Sequence, residues 1–216
     1  MFDLATLVTF ITVVLGLFLI PGPAVVLTVT RAAKNGRLAG VMTGLGIASG
    51  DLLHTLCAAL GLSALLMTSA LAFDIVKYAG ALYLVYLGIR ALLEPSAPAT
   101  GLTDAAPPPR APASITSRRA YWQAFGTEIL NPKTALFFLA FLPQFVHADR
   151  GSSLAQFLCL GLIFSVLSVI YTTALALSVH PLLRFVKRLA WLARWQNKIV
   201  GAIFVGLGVK VALERR

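Results

Sequence analysis

Apolar positions along this chain come in runs, not in alternation. Each run is too long for a buried strand and long enough to cross a hydrocarbon core as a helix. Polar, mostly basic connections separate the runs. The pattern predicts spanning helices over 4–30, 38–66, 70–93, 119–146, 154–179 and 197–213. Two of them contain residues that a continuous helix excludes. Pro21-Gly22-Pro23 breaks the first and Asn131-Pro132 breaks the fourth. A break at membrane depth frees backbone polar groups that lipid cannot satisfy. It persists only where protein or a polar cavity covers it. One such break in each half of a chain is the pattern of a transporter whose site lies at the midplane.

Composition agrees with that reading. The 216 residues are 58% hydrophobic and 12% charged, about half the charged share of a soluble domain. Met1 to Leu4 holds no basic residue, so the first run reads as a retained helix and not as a cleaved signal. The net charge of +10 would suit a nucleic-acid partner if the basic residues formed a patch. They do not. Arg31, Lys34 and Arg37 lie in the first connection. Arg90, Arg110, Arg118 and Arg119 lie in the third, and Arg184, Lys187, Arg188, Arg194 and Lys198 in the fifth. The other side receives only Lys77, Arg150, Lys210, Arg215 and Arg216. This asymmetry predicts that both termini face outward, with the first, third and fifth connections in the cytoplasm. The expected partners are therefore the lipid bilayer and a transported solute, with no nucleic acid. Cys57 and Cys159 fall inside apolar runs and read as packing residues without a disulfide.

The chain divides at its centre. More than half of its 11 prolines lie between Glu94 and Ser117. That composition predicts a disordered cytoplasmic linker over 95–118, joining units 1–94 and 119–216. Residues 181–196 are basic and amphipathic, with Trp191 and Trp195. They fit either a helix lying on the membrane surface or a loop leading into the last span.

The two units resemble each other. Lys77-Tyr78-Ala79-Gly80-Ala81-Leu82 matches Lys198-Ile199-Val200-Gly201-Ala202-Ile203. After a one-residue gap, the stretch from Leu87 and Gly88 to Glu94 matches the stretch from Leu207 and Gly208 to Glu214. Three helices per unit is an odd number, so the second unit enters from the opposite side. The fold class is thus an all-α membrane protein of six helices in two inverted three-helix repeats.

The breaks carry the chemistry. Asn131 before Pro132 is an N-cap followed by proline at the first helical position; Gly22 before Pro23 has the same form with a weaker cap. Each break begins a half-helix. The span from Pro23 to Lys34 is roughly 16 Å at helical rise, about half the hydrocarbon core. The free N–H groups of two such ends attract an anion, and Lys133 adds a full charge. Upstream, the carbonyls of Leu17, Leu19 and Glu128 lose their helical donors to the prolines. They can accept from an ammonium group or a cation. Carboxylate recognition beside ammonium recognition suits an amino acid. Pro21, Gly22, Pro23, Asn131, Pro132 and Lys133 are the candidate substrate-binding residues. Kinks repaired by neighbouring helices are the plainer reading, and the matched pair with its lysine favours a site.

Asp51 is a carboxylate deep in the second helix, where a charge is expensive to keep. It is the candidate proton carrier, against a fixed ion pair with Lys133. His54 shares its helix face and serves either proton transfer or a structural hydrogen bond. Glu128 completes the proton-coupling set, unless it lies at the cytoplasmic mouth. Gly36, Gly40 and Gly44, then Gly46 and Gly50, give the second helix smooth faces. These suit packing within the chain or, alternatively, a homodimer. Tyr83, Tyr86 and Tyr171 read as packing residues, with lining of a path as the alternative.

Residues 128–146 (EILNPKTALFFLAFLPQFV) resemble the lysine exporter (LysE) superfamily, specifically its RhtB branch of homoserine, homoserine lactone and threonine exporters. Pro21-Gly22-Pro23 and the run from Gly44 through Gly46 and Gly50 to Asp51 resemble its other hallmarks. The resemblance implies six helices, a bacterial inner-membrane location and export of amino acids or derivatives by proton antiport. It leaves the particular amino acid open. An enzyme is not expected: the chain has no GxxxxGK[ST], HExxH or GxSxG motif, and nothing calls for a cofactor or metal. A cation or metal transporter or channel is the alternative, which would want more intramembrane carboxylates or thiols.

Overall fold

The computed structural model describes residues 2–19, 22–68, 70–93 and 115–179. Towards the C-terminus it describes 198, 201–202, 204–206, 208–209 and 213. Pro21, most of the linker and the amphipathic segment 181–196 lie outside the described residues. Among the described residues before 180 there are seven α-helices: α1 (Leu4–Leu19), α2 (Pro23–Asn35), α3 (Arg37–Thr68), α4 (Ala70–Leu93), α5 (Ser117–Ile129), α6 (Pro132–Phe141) and α7 (Ser153–Leu177). Among the described residues there is no strand.

α7 shows why this is a membrane protein and not a soluble bundle. Its buried side carries Gln156, Ser165, Ser168 and Thr172, while Leu158, Leu162, Val166 and Ile170 are exposed. The same buried side holds Phe157, Leu160 and Phe164, so the helix is apolar on both sides, and only an apolar solvent makes the outer stripe favourable. α3 and α7 are each long and apolar enough to span a bilayer. α1 and α2 together make a third candidate span, bent by 60° at the first break.

Both expected breaks are present. α2 starts at Pro23 behind an extended Gly22, and α6 starts at Pro132 behind Asn131. The Asn131 side chain accepts from the Lys133 amide at 3.1 Å, the cap that the sequence predicts. The second half of the fourth predicted helix is shorter than expected. α6 ends at Phe141, and Leu142–Phe145 continues as a 3₁₀ turn containing Pro143. Pro143 has no N–H to give to an α-helical turn.

α3 is the central helix, packed on α2, α5 and α7. Its glycines decide how closely. Gly40 faces Ala32 and Ala176, Gly44 faces Thr172, and Gly46 faces the Tyr121 carbonyl. A Cβ placed on Gly50 would lie 2.7 Å from the Glu128 Cβ. The stripe is thus used for packing within the chain, as smooth glycine faces allow. A phenylalanine cluster (Phe10, Phe137, Phe138, Phe141, Phe145, Phe157, Phe164) joins α1, α6, α7 and the 3₁₀ turn. Phe10 stacks on Phe141 at 6.3 Å and meets Phe145 edge-on at 5.3 Å. At this end Arg150 pairs with Asp3 at 2.8 Å.

Candidate functional site

The two breaks meet. The Lys133 Nζ, from the first turn of α6, donates to the Leu17 carbonyl at 3.3 Å. It also runs alongside Gly22, where an added Cβ would lie 3.5 Å from Nζ. The carbonyl that Pro21 deprives of a helical donor therefore receives a donor from the other half of the chain. Leu17 is an acceptor, as its position implies, but its partner is the protein's own ammonium. In this state Lys133 ties the breaks together; the sequence reading has it facing a substrate carboxylate.

Glu128 is buried at 1% exposure. Its carboxylate is fully engaged at the second break. Asn131 Nδ2 lies 3.2 Å from both oxygens, and the Thr134 hydroxyl donates to Oε1. The backbone there is also satisfied. The Glu128 carbonyl accepts from the Asn131 amide at 3.0 Å and from His54 Nε2 at 2.9 Å. His54 is thus bound to the broken backbone. Gly50 leaves the room that Glu128 occupies against α3.

Asp51 is 1% exposed. The Ser168 side chain hydrogen-bonds its carboxyl, and Glu128 lies close enough to repel it. Its Oδ2 is buried with no hydrogen-bond partner. A buried unpartnered carboxylate oxygen is costly, and a bound proton lowers that cost.

These groups, His54 apart, line a cavity of about 50 Å³. That is room for a few waters and well short of an ordinary ligand site. Leu17, Phe18, Val25, Ile47 and Phe164 make its apolar wall; Asp51, Glu128, Asn131, Lys133, Ser168 and Thr172 make its polar one. Of the residues picked from sequence, Gly22, Asn131, Lys133, Asp51 and Glu128 are brought together here. Pro23 and Pro132 set the helix starts without lining the cavity, and Pro21 lies outside the described residues.

Sequence reasoning missed Thr134, Phe18, Phe164, Ser168 and Thr172, and read Tyr171 as packing although it lines the cavity. Ser165, Ser168 and Thr172 mark one face of α7 at helical spacing, a pattern that does not distinguish a cavity from a neighbouring helix. Tyr83 and Tyr86 stack on each other at 6.2 Å, away from this cavity.

The chain matches the family described as LysE type translocator across residues 15–215. It belongs to that family. A leucine efflux protein of Klebsiella pneumoniae subsp. pneumoniae is 28% identical over 211 residues, covering 98% of this chain and 96% of its own length. A leucine efflux protein of Enterobacter sp. (strain 638) is 30% identical over 94% of both chains. The uncharacterized membrane protein YrhP of Bacillus subtilis (strain 168) is 31% identical over 97% of this chain and 99% of its own. No solved structure gives a significant match. As a LysE type translocator the chain is a bacterial membrane transport protein.

Proposed function

We propose that this translocator exports amino acids by proton antiport, alternating between two states of an inverted-repeat bundle in the bacterial inner membrane. One observation carries the reading: the cavity joins the two helix breaks, and the Lys133 ammonium from one half sits on the Leu17 carbonyl of the other. A zwitterion presents the two charges that such a place recognises. Its carboxylate competes for Lys133 and the half-helix N–H groups, and its ammonium takes over the carbonyl that Lys133 releases. The exchange opens the tie, which couples substrate entry to movement of the halves.

The apolar wall of Leu17, Phe18, Val25, Ile47 and Phe164 suits a branched aliphatic side chain better than a hydroxyl. The leucine efflux relatives favour the same choice. Homoserine and threonine, the substrates implied by the sequence resemblance, are the competitors. Asp51 is the proton carrier, because its unpartnered oxygen contrasts with the fully bonded Glu128 carboxylate.

Packing near the C-terminus supports the inverted repeat. Gly88 meets Gly201, and Gly208 meets Ala81 and Val85. With Gly80 matched to Gly201 and Gly88 to Gly208, one contact becomes the other, within one residue, when the halves are exchanged. Export is then a property of the whole six-helix unit, with the termini outward.

Counterflow in proteoliposomes tests the substrate. Internal unlabelled leucine is expected to drive uptake of labelled leucine, with threonine and homoserine weaker by about tenfold, the scale of one or two methylenes in an apolar site. Stronger counterflow with homoserine or threonine returns the substrate to the hydroxyl class. No counterflow with any amino acid contradicts the proposal.

A further inference from the structure

We propose that Asp51 and Ser168 are equivalent positions facing each other across the pseudo-two-fold axis of the molecule, and that the coupling carboxylate works from that axis. This deepens the proton-antiport reading and rests on it.

α3 and α7 run antiparallel and are locked by two contacts. A Cβ on Gly44 would strike Thr172, and a Cβ on Gly161 would strike Thr55. The shift in numbering that carries Gly44 to Gly161 also carries Thr55 to Thr172. Each contact is therefore the other with its partners exchanged, which is what a two-fold axis between the helices produces. A position that touches its own counterpart lies at the axis. The same shift carries Asp51 to Ser168, and these two are hydrogen-bonded. Both are buried, at 1% and 3% exposure, and both line the cavity.

The correspondence extends along the helices. It carries Ile47 to Phe164, and both line the cavity. It carries His54 to Tyr171. His54 bonds the Glu128 carbonyl ahead of the second break; Tyr171 stacks on Phe18 at 5.2 Å ahead of the first. The halves are matched in geometry and differ in chemistry. Only one of the two axial positions is a carboxylate, and its Oδ2 has no hydrogen-bond partner. The charged groups facing it come from the second half alone, Glu128 from α5 and Lys133 from α6. A carboxylate at the axis stands in the same relation to both halves. When they exchange conformations it changes the face it serves without having to move.

Exchanging the two residues tests this. In proteoliposomes Asp51→Ser alone is expected to lose uphill, gradient-driven export by about tenfold or more. Asp51→Ser combined with Ser168→Asp is expected to regain uphill export to within about threefold of the parent protein. Full uphill export by Asp51→Ser alone overturns the antiport reading, and this inference with it. Loss in the single variant without recovery in the exchanged one overturns only the equivalence. An exchanged protein that fails to accumulate in the membrane also overturns it, because equivalent positions must accept the exchange. An Asp51→Asn, Ser168→Asp pair repeats the test with a closer replacement for the carboxylate.

Discussion

Lys133 is the side chain on which the two halves meet. Holding a charge inside a membrane costs about 2.5–3.5 kcal/mol on insertion scales. A hydrogen bond from a charged donor returns about 1.5–3 kcal/mol, here from the Leu17 carbonyl. The Glu128 carboxylate, lining the same cavity, supplies the rest. Lys133→Met keeps the length and removes the charge, leaving Leu17 without this donor. Counterflow is expected to fall by about tenfold or more at unchanged membrane abundance, the size of one such bond. Lys133→Arg is expected to be impaired as well, because a planar guanidinium does not reproduce the single ammonium donor held on the Leu17 carbonyl. Normal counterflow in Lys133→Met contradicts the role given to the lysine.

Asp3 behaves differently, because it precedes the first helix. The Thr6 amide, at 2.7 Å, and Arg150 hold its carboxyl well below the usual carboxylate range. A folded-state value depressed below the unfolded one gives stability that is present above the unfolded value and is lost as pH falls through the folded one. The Asp3–Arg150 tie is therefore intact throughout the neutral range. In thermal unfolding, Asp3→Asn is expected to lower stability by a small amount that stays constant from about pH 8 to pH 5. The difference should shrink only below about pH 4, where the unfolded carboxylate begins to protonate. A difference that changes between pH 8 and 5 contradicts this assignment.

At the scale of elements, closeness between α3 and α5 depends on a missing side chain. Gly50→Ala puts a methyl 2.7 Å from the Glu128 Cβ, and overpacking of this kind costs about 1–3 kcal/mol. The melting temperature in detergent is expected to fall by several degrees, with export reduced as Glu128 is displaced. Gly61→Ala on the same helix meets nothing within 4 Å, so it is expected to be neutral or stabilising. Equal effects of the two contradict the packing account.

The helix breaks were legible from sequence because proline acts locally. A missing N–H and a cap residue announce a helix start without reference to the rest of the chain. The glycine faces of α3 were legible too, since the row is visible in the order of residues. Ser168, Thr172, Thr134 and Phe18 were not. A hydroxyl or a ring inside an apolar helix looks the same whether it faces a cavity or a neighbouring helix. Only the approach of α7 to the breaks distinguishes the two. The reach of Lys133 to Leu17 was half legible. The bare carbonyl followed from Pro21, but the identity of its donor depended on how the halves pack.

At the scale of the molecule, a cavity of about 50 Å³ does not hold an amino acid. Apolar packing of Phe10, Phe141 and Phe145 closes one end. Towards the other, Arg31 bonds Gln123 at 2.7 Å and Tyr121 bonds Ser49 at 2.8 Å. The conformation is contracted around the site, and transport requires one end to open at a time. The hydrogen-bonded end offers the lower barrier, because its polar groups can bond to water on opening. The aromatic end would expose apolar rings.

The most direct measurement uses the intact chain in proteoliposomes loaded with labelled leucine, with an imposed inward-directed proton gradient. The parent protein is expected to drive leucine out against its concentration gradient, and dissipating the proton gradient should stop it. Asp51→Asn is expected to exchange leucine in counterflow and to lose the uphill movement. Uphill export that persists in Asp51→Asn, or that survives collapse of the proton gradient in the parent, would contradict proton antiport through this site.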